Sequence, residues 1–163
     1  GHHVWNATQT IVVEGRTPLT HELWVEIERA LANGDSPPVY YDFFFDAIEH
    51  RKIGDYPRCV IDLAISCETI IRTFVKKQLP TGLTHSLLQF IDEANIRQAV
   101  AKFLPSMLDA NLEKRYGKIQ SRLHQLFDDR NKLMHSGTLS SLTDEHCREY
   151  VQVTKELINL LDK

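Results

Sequence analysis

Between about Asn111 and Ser136 the apolar residues Ile119, Leu123, Leu126 and Leu133 recur at spacings of three and four, with one slot left empty. That period forces a long amphipathic helix with a single buried stripe. Arg130 occupies the empty slot. A guanidinium in line with a core stripe must find an acceptor or stay wet, because an unpaired buried charge costs too much. Asn131 and His135 are four apart, so on a helix they share a face and can touch one ligand. Arg130 and His135 are five apart, about 140° around the axis, and only the long arginine stem brings their heads together. Gly137 fits the left-handed position past a helix end, which puts His135 in the last turn.

The helical period governs most of the remaining chain. Thr20 is read as the N-cap of a helix to about Ala32, with Leu23, Trp24, Ile27 and Leu31 on one side and Asn33-Gly34 as its stop. A linker, Asp35-Ser36-Pro37-Pro38, precedes a helix over about 39–53 whose aromatic density (Tyr40, Tyr41, Phe43, Phe44, Phe45) predicts burial on more than one side. Core is the preferred reading over a base-stacking platform, since the near neighbours are Asp42 and Asp46 rather than basic residues. Gly54-Asp55-Tyr56 makes a corner and Pro57 suits the first turn of the next helix, which runs to about Leu79 with Val60, Leu63, Ala64, Cys67, Ile71, Phe74 and Val75 as its stripe. Glu68 falls at the edge of that stripe and is expected to pair with Arg130 across two packed helices, which would satisfy both charges.

Residues 81–110 are less regular. They read as an insertion with a short helix from Thr84 and a second from about Asn95 that ends before Pro105, and no chemistry is legible in them. Thr143 caps a last helix carrying Tyr150, Val151, Val153, Leu157, Ile158, Leu160 and Leu161. The exception to the helical pattern lies at the start, where Thr10-Ile11-Val12-Val13-Glu14 reads as one short strand. A lone strand is unstable by itself, so residues 1–37 are read as an N-terminal extension, the tail of a preceding domain or a segment that pairs with a neighbouring chain, with Gly1-His2-His3 as a tag remnant. Residues 38–163 form the helical domain.

Composition narrows the function classes. The 163 residues suffice for one core without disulfides or metals, and the net charge of -3 gives no overall attraction to nucleic acid, so any RNA binding must come from a local patch. The three cysteines, Cys59, Cys67 and Cys147, lack the short paired spacing of a zinc site and read as buried free thiols, which points to the cytoplasm. No apolar run reaches the length of a membrane span. No metal, cofactor or Gly-rich phosphate loop is expected. The long helix, however, carries Lys114, Arg115, Lys118, Arg122, Arg130 and Lys132 against Asp128 and Asp129, a positive balance in an acidic chain. Lys118, Arg122 and Lys132 are the candidate RNA-binding residues.

Arg130-Asn131, three residues, then His135 near the end of a long helix resembles the Arg-polar-x-x-x-His signature of the HEPN superfamily (higher eukaryotes and prokaryotes nucleotide-binding). The Gly54-Asp55-Tyr56 corner and the stretch Ala64-Ile65-Ser66-Cys67-Glu68 resemble the first half of that core, so the resemblance covers roughly residues 39–162. It implies an all-α fold, an antiparallel helical bundle, here with an extra N-terminal helix and strand. It further implies a homodimer whose active site is a metal-independent endoribonuclease, with Arg130, Asn131 and His135 as its catalytic residues and Glu68 in support. Such an enzyme could serve a toxin–antitoxin pair or a defence system, with an antitoxin as protein partner.

The chemistry is consistent with those residue types. Attack of an RNA 2'-hydroxyl on the adjacent phosphate leaves a 2',3'-cyclic phosphate and a 5'-hydroxyl, and it needs a proton carrier near neutral pH and a cation on the developing charge. An imidazole, with its ordinary pKa of about 6.5, supplies the first, and the planar fork of Arg130 the second. The competing reading is a non-catalytic dimerising helical module that binds a protein or nucleotide partner, in which Arg130 anchors Glu68, Asn131 bonds backbone carbonyls and His135 caps a helix.

Overall fold

The computed structural model describes residues 20–34, 36–80, 89, 93, 95–139 and 142–162. The strand expected at Thr10–Glu14 and most of the short helix expected from Thr84 lie outside them. The chain divides into two units, Gly1–Ser36 and Pro37–Lys163.

In the first unit α1 spans His21–Ala32 and ends at Gly34, whose φ of 75° takes the left-handed conformation that L side chains avoid. The indole of Trp24 donates to Glu28 one turn on, at 2.7 Å, and Trp24, Ile27 and Leu31 stay exposed.

The second unit contains α2 (Val39–Lys52), α3 (Tyr56–Gln78), α4 (Ile96–Gln98), a π-helical run over Ala99–Phe103, α5 (Leu104–Met107), α6 (Ala110–Ser136) and α7 (Asp144–Leu161). All described regular structure is helical. Each boundary has a local cause. Asp55 accepts the amide of Arg58 and Pro57 sits in the first turn of α3, where the absent N–H costs nothing. Asp109 accepts the amides of Asn111 and Leu112, both at 2.9 Å, and so starts α6. Gly137, at φ 72°, returns its amide to Leu133 at 2.8 Å and closes that helix. Thr143 accepts the amide of His146 and opens α7.

The helices form a bundle around α3, which packs against α2, α6 and α7. The hydroxyl of Ser66 donates to the Tyr40 carbonyl at 2.7 Å while His50 meets Asp62, so α2 and α3 run in opposite directions. Tyr41 reaches Asp162 and Arg51 reaches Asp144, which sets α7 antiparallel to α2. The stripe read on α6 is buried as expected: Ile119, Leu123, Leu126 and Leu133 enter the core, joined by Tyr116 and Phe127. Each fully buried leucine of this kind contributes about 1.5–3 kcal/mol. The α2 aromatics are a correction. Tyr40 and Phe44 are buried, but Phe45 is 53% exposed and stacks on Tyr41, because only one face of α2 meets the bundle.

A second departure lies at Pro105, where a helix end was expected. The helical path continues to Met107. The proline is absorbed by the π-helical run: the amide of Leu104 bonds Ala99 five residues back instead of Val100. The next amide position is Pro105, which has no N–H to give. The Val100 carbonyl is thus left to side chains of α6, the Tyr116 hydroxyl at 2.7 Å and the Gln120 amide at 3.2 Å. That contact fastens the 96–107 segment across the middle of α6. Among the described residues no helix is long and apolar enough to cross a membrane.

Candidate functional site

The polar face of the last two turns of α6 carries Asp128, Asn131, Lys132 and His135, at i, i+3, i+4 and i+7. Together with Arg97 from α4 they line an open groove of about 510 Å³. The spacing that put Asn131 and His135 on one face therefore does bring them to one surface. His135 is exposed, and among the described residues it has no hydrogen-bond or ion-pair partner.

Arg130 does not line the groove. It is half-buried, and its Nη1 donates to Oδ1 of Asn131 at 3.1 Å. Asn131 is the link between the two. With its carbonyl oxygen held by Arg130, its amide nitrogen is left to donate to a groove ligand.

The expected Glu68–Arg130 pair is not formed. Glu68 accepts from Nε and Nη2 of Arg72 at 3.0 and 2.7 Å on its own helix. A Glu followed four residues later by Arg meets within one turn of the same helix, so this pair forms without any demand on tertiary packing. Glu68 consequently supports α3 and not the arginine of α6.

The three candidate RNA-binding cations separate. Lys132 lines the groove and pairs with Asp129 at 3.0 Å. Arg122 is engaged by Glu149 at 3.0 Å and by Gln125. Lys118 lies almost four turns, about 20 Å of helix rise, before Lys132. It borders a smaller recess of about 270 Å³ with Arg115, Ile119 and Glu156.

The electrostatics beneath the groove are set by burial. Asp129 accepts the Tyr150 hydroxyl at 2.7 Å, and burial first, then this carboxylate, push the phenol well above its ordinary range. Tyr150 therefore stays protonated and pins the base of α6 to α7. The thiols are shut off from solvent by burial, although contact with Cys59 holds Cys147 below the ordinary thiol range. Cys59, Cys67 and Cys147 are buried and free, Cys67 is pushed up to about 12 by burial, and Cys59 is pushed up by its contact with Cys147 and by burial. No group of three or more metal-ligating side chains gathers among the described residues.

Of the groove residues that the sequence does not single out, Arg97, Asp128, Ser136 and Leu139, the first two carry charge. Arg97 falls in a stretch that reads as an insertion without chemistry, and Asp128 reads as one of two acidic residues offsetting a basic helix. The i, i+3, i+4, i+7 pattern from Asp128 to His135 was the available signal for the second; nothing local marked the first. Comparison with protein-family models, with curated proteins and with solved structures found no match to this chain.

Proposed function

We propose that this chain is a HEPN-type helical domain that binds RNA in the α6 groove and cleaves it without a metal ion, as a homodimer. The observation that carries the reading is that Asn131, Lys132 and His135 open onto one groove while Arg130 holds the Asn131 carbonyl from behind. In this mechanism His135 takes the proton of the RNA 2'-hydroxyl as its oxygen attacks the neighbouring phosphorus. The bond from phosphorus to the 5'-oxygen breaks, that oxygen leaves with a proton as a hydroxyl, and a 2',3'-cyclic phosphate is formed. Lys132 and the Asn131 amide stabilise the charge developing on the phosphoryl oxygens, with Arg130 fixing the amide. One imidazole cannot serve both oxygens at once. A second copy, related by a two-fold axis, would bring a second His135, whose imidazolium gives the leaving 5'-oxygen its proton.

A non-cleaving dimerising module is the second reading. It is favoured by the half-buried Arg130, whose head is engaged by Asn131 instead of facing the groove. The test is incubation of the purified chain with end-labelled single-stranded RNA in excess chelator, beside Arg130→Ala, Asn131→Ala and His135→Ala, with analysis of product ends and of folding. Cleavage to cyclic phosphates by the parent, lost in folded His135→Ala, supports the nuclease. Binding without cleavage supports the module, and neither binding nor cleavage over a range of RNAs removes the nuclease and leaves the module with a protein partner.

A further inference from the structure

Among the described residues Arg97 is the one groove cation that does not come from α6, and its position is fixed by its own segment. Asn95 accepts the Arg97 amide at 2.9 Å and starts the segment there. Three residues on, the Val100 carbonyl is fastened to Tyr116 and Gln120 of α6. The backbone that carries Arg97 is thus tied on both sides of it, while its guanidinium reaches over α6 to Asp128. Asp128 is the carboxylate on a stripe that otherwise presents an amide, an ammonium and an imidazole. Both partners are about half exposed, 49% for Arg97 and 47% for Asp128, so the pair is screened and costs little to open.

We propose that Arg97 is a phosphate-binding residue for single-stranded RNA, held by Asp128 in the free protein and released to an RNA phosphodiester on binding. The inference rests on the RNA reading above. A phosphate is a better partner for a guanidinium than a half-exposed carboxylate, since it offers the same bidentate geometry and releases counterions from the strand. Asp128 and His135 are seven residues apart, about 10 Å along the helix. A phosphate on Arg97 is therefore a different one from the phosphate reacting beside His135, and Arg97 holds the strand instead of joining the chemistry. Asp128 acts in the opposite sense, repelling the backbone when its cation is withdrawn.

The experiment is fluorescence anisotropy of a fluorescein-labelled 2'-O-methyl single-stranded RNA, which cannot be cleaved, titrated with the full chain across a range of salt. Arg97→Ala should weaken binding about fivefold to tenfold at low salt and flatten the slope of log affinity against log salt by roughly 0.7, the value of one phosphate contact on a single strand. Arg97→Lys should keep the slope. Asp128→Asn should tighten binding severalfold, and the gain should be smaller in the Arg97→Ala background, where relief of the repulsion by Asp128 is all that is left of it. If parent and Arg97→Ala share one affinity and one slope, the inference is overturned while the RNA reading survives. If Asp128→Asn binds no tighter than the parent, the release by Asp128 is overturned, and this variant decides even where Arg97→Ala fails to fold. If the parent binds no RNA, the RNA reading falls and this inference with it.

Discussion

His50 and Arg51 at the end of α2, and Arg130 and His135 at the end of α6, are the same two residue types in the closing turns of two helices. The chain employs them differently. On α2 both are consumed: His50 Nδ1 lies 2.8 Å from Asp62 on α3, and Arg51 pairs with Asp144 on α7 at 3.1 Å. Each of those contacts joins two helices. On α6, among the described residues, Arg130 reaches its chain neighbour and no other side chain, and the imidazole of His135 faces the groove. An arginine and a histidine near a helix end are thus no signature by themselves. What separates a structural pair from a candidate site is whether a carboxylate on an adjoining helix meets them.

The largest effect should be on cleavage. His135→Ala is expected to lower it at least about 100-fold, the usual share of a general acid or base, with a melting temperature close to the parent's. His50→Ala should show the reverse, near-parent cleavage and a lower melting temperature. Single-turnover rates and thermal melts on both variants decide, and loss of cleavage in His50→Ala alone would invert the comparison.

The core shared by both helix ends titrates far from neutrality. Cys67 is raised to about 12 by burial, and Tyr41 to about 12 by burial and then by its hydrogen bond to Asp162. Both groups are protonated more firmly in the folded chain than in the unfolded one. Their contribution is therefore complete below the unfolded values, about 9 for the thiol and 10 for the phenol, and is lost as pH rises toward 12. Stability should fall by up to about 4 kcal/mol over that alkaline range from the thiol alone. Melts at successive pH values test this, and a fall already complete by about pH 8 would contradict it.

Smaller losses should divide the two arginines. Arg51→Ala is expected to destabilise by about 1–3 kcal/mol, since it leaves Asp144 with Arg148 of its own helix alone and empties a partly buried site between helices. Arg130→Ala should cost less than about 1 kcal/mol, because its partner is a neutral neighbour that can turn to solvent. Urea unfolding of both variants measures the difference. Last, Asp62→Asn should cost about 1 kcal/mol by weakening the His50 contact, with cleavage unaltered; equal stability of parent and variant would mean that this bond contributes nothing.

These contrasts also mark what could be read in advance. Helix limits were legible wherever the sequence punctuates itself locally: Gly137 and Thr143 fall where a C-cap and an N-cap were expected, and Pro57 in the first turn of α3. The groove face of α6 was legible in part, because Asn131 and His135 follow from helical spacing alone. Glu68 was misassigned because the local partner, Arg72, lies on the same helix and satisfies it first. Arg97 with Asp128, and His50 with Asp62, are tertiary pairings, and no spacing in one dimension reports them. Phe45 was expected inside because aromatic density counts residues without saying how many faces of a helix have neighbours.

Pro105 never touches the groove, yet it governs the register of what does. By withholding an amide it makes the carbonyl of Val100 available to α6, and the backbone from Asn95 onward is threaded from that fixed point. An ordinary residue there would offer Val100 a partner within its own segment. A shift of one residue in the threading would turn Arg97 by about 100°. The reach of a surface cation is in this way encoded two turns away, in a position that carries no charge and meets no ligand.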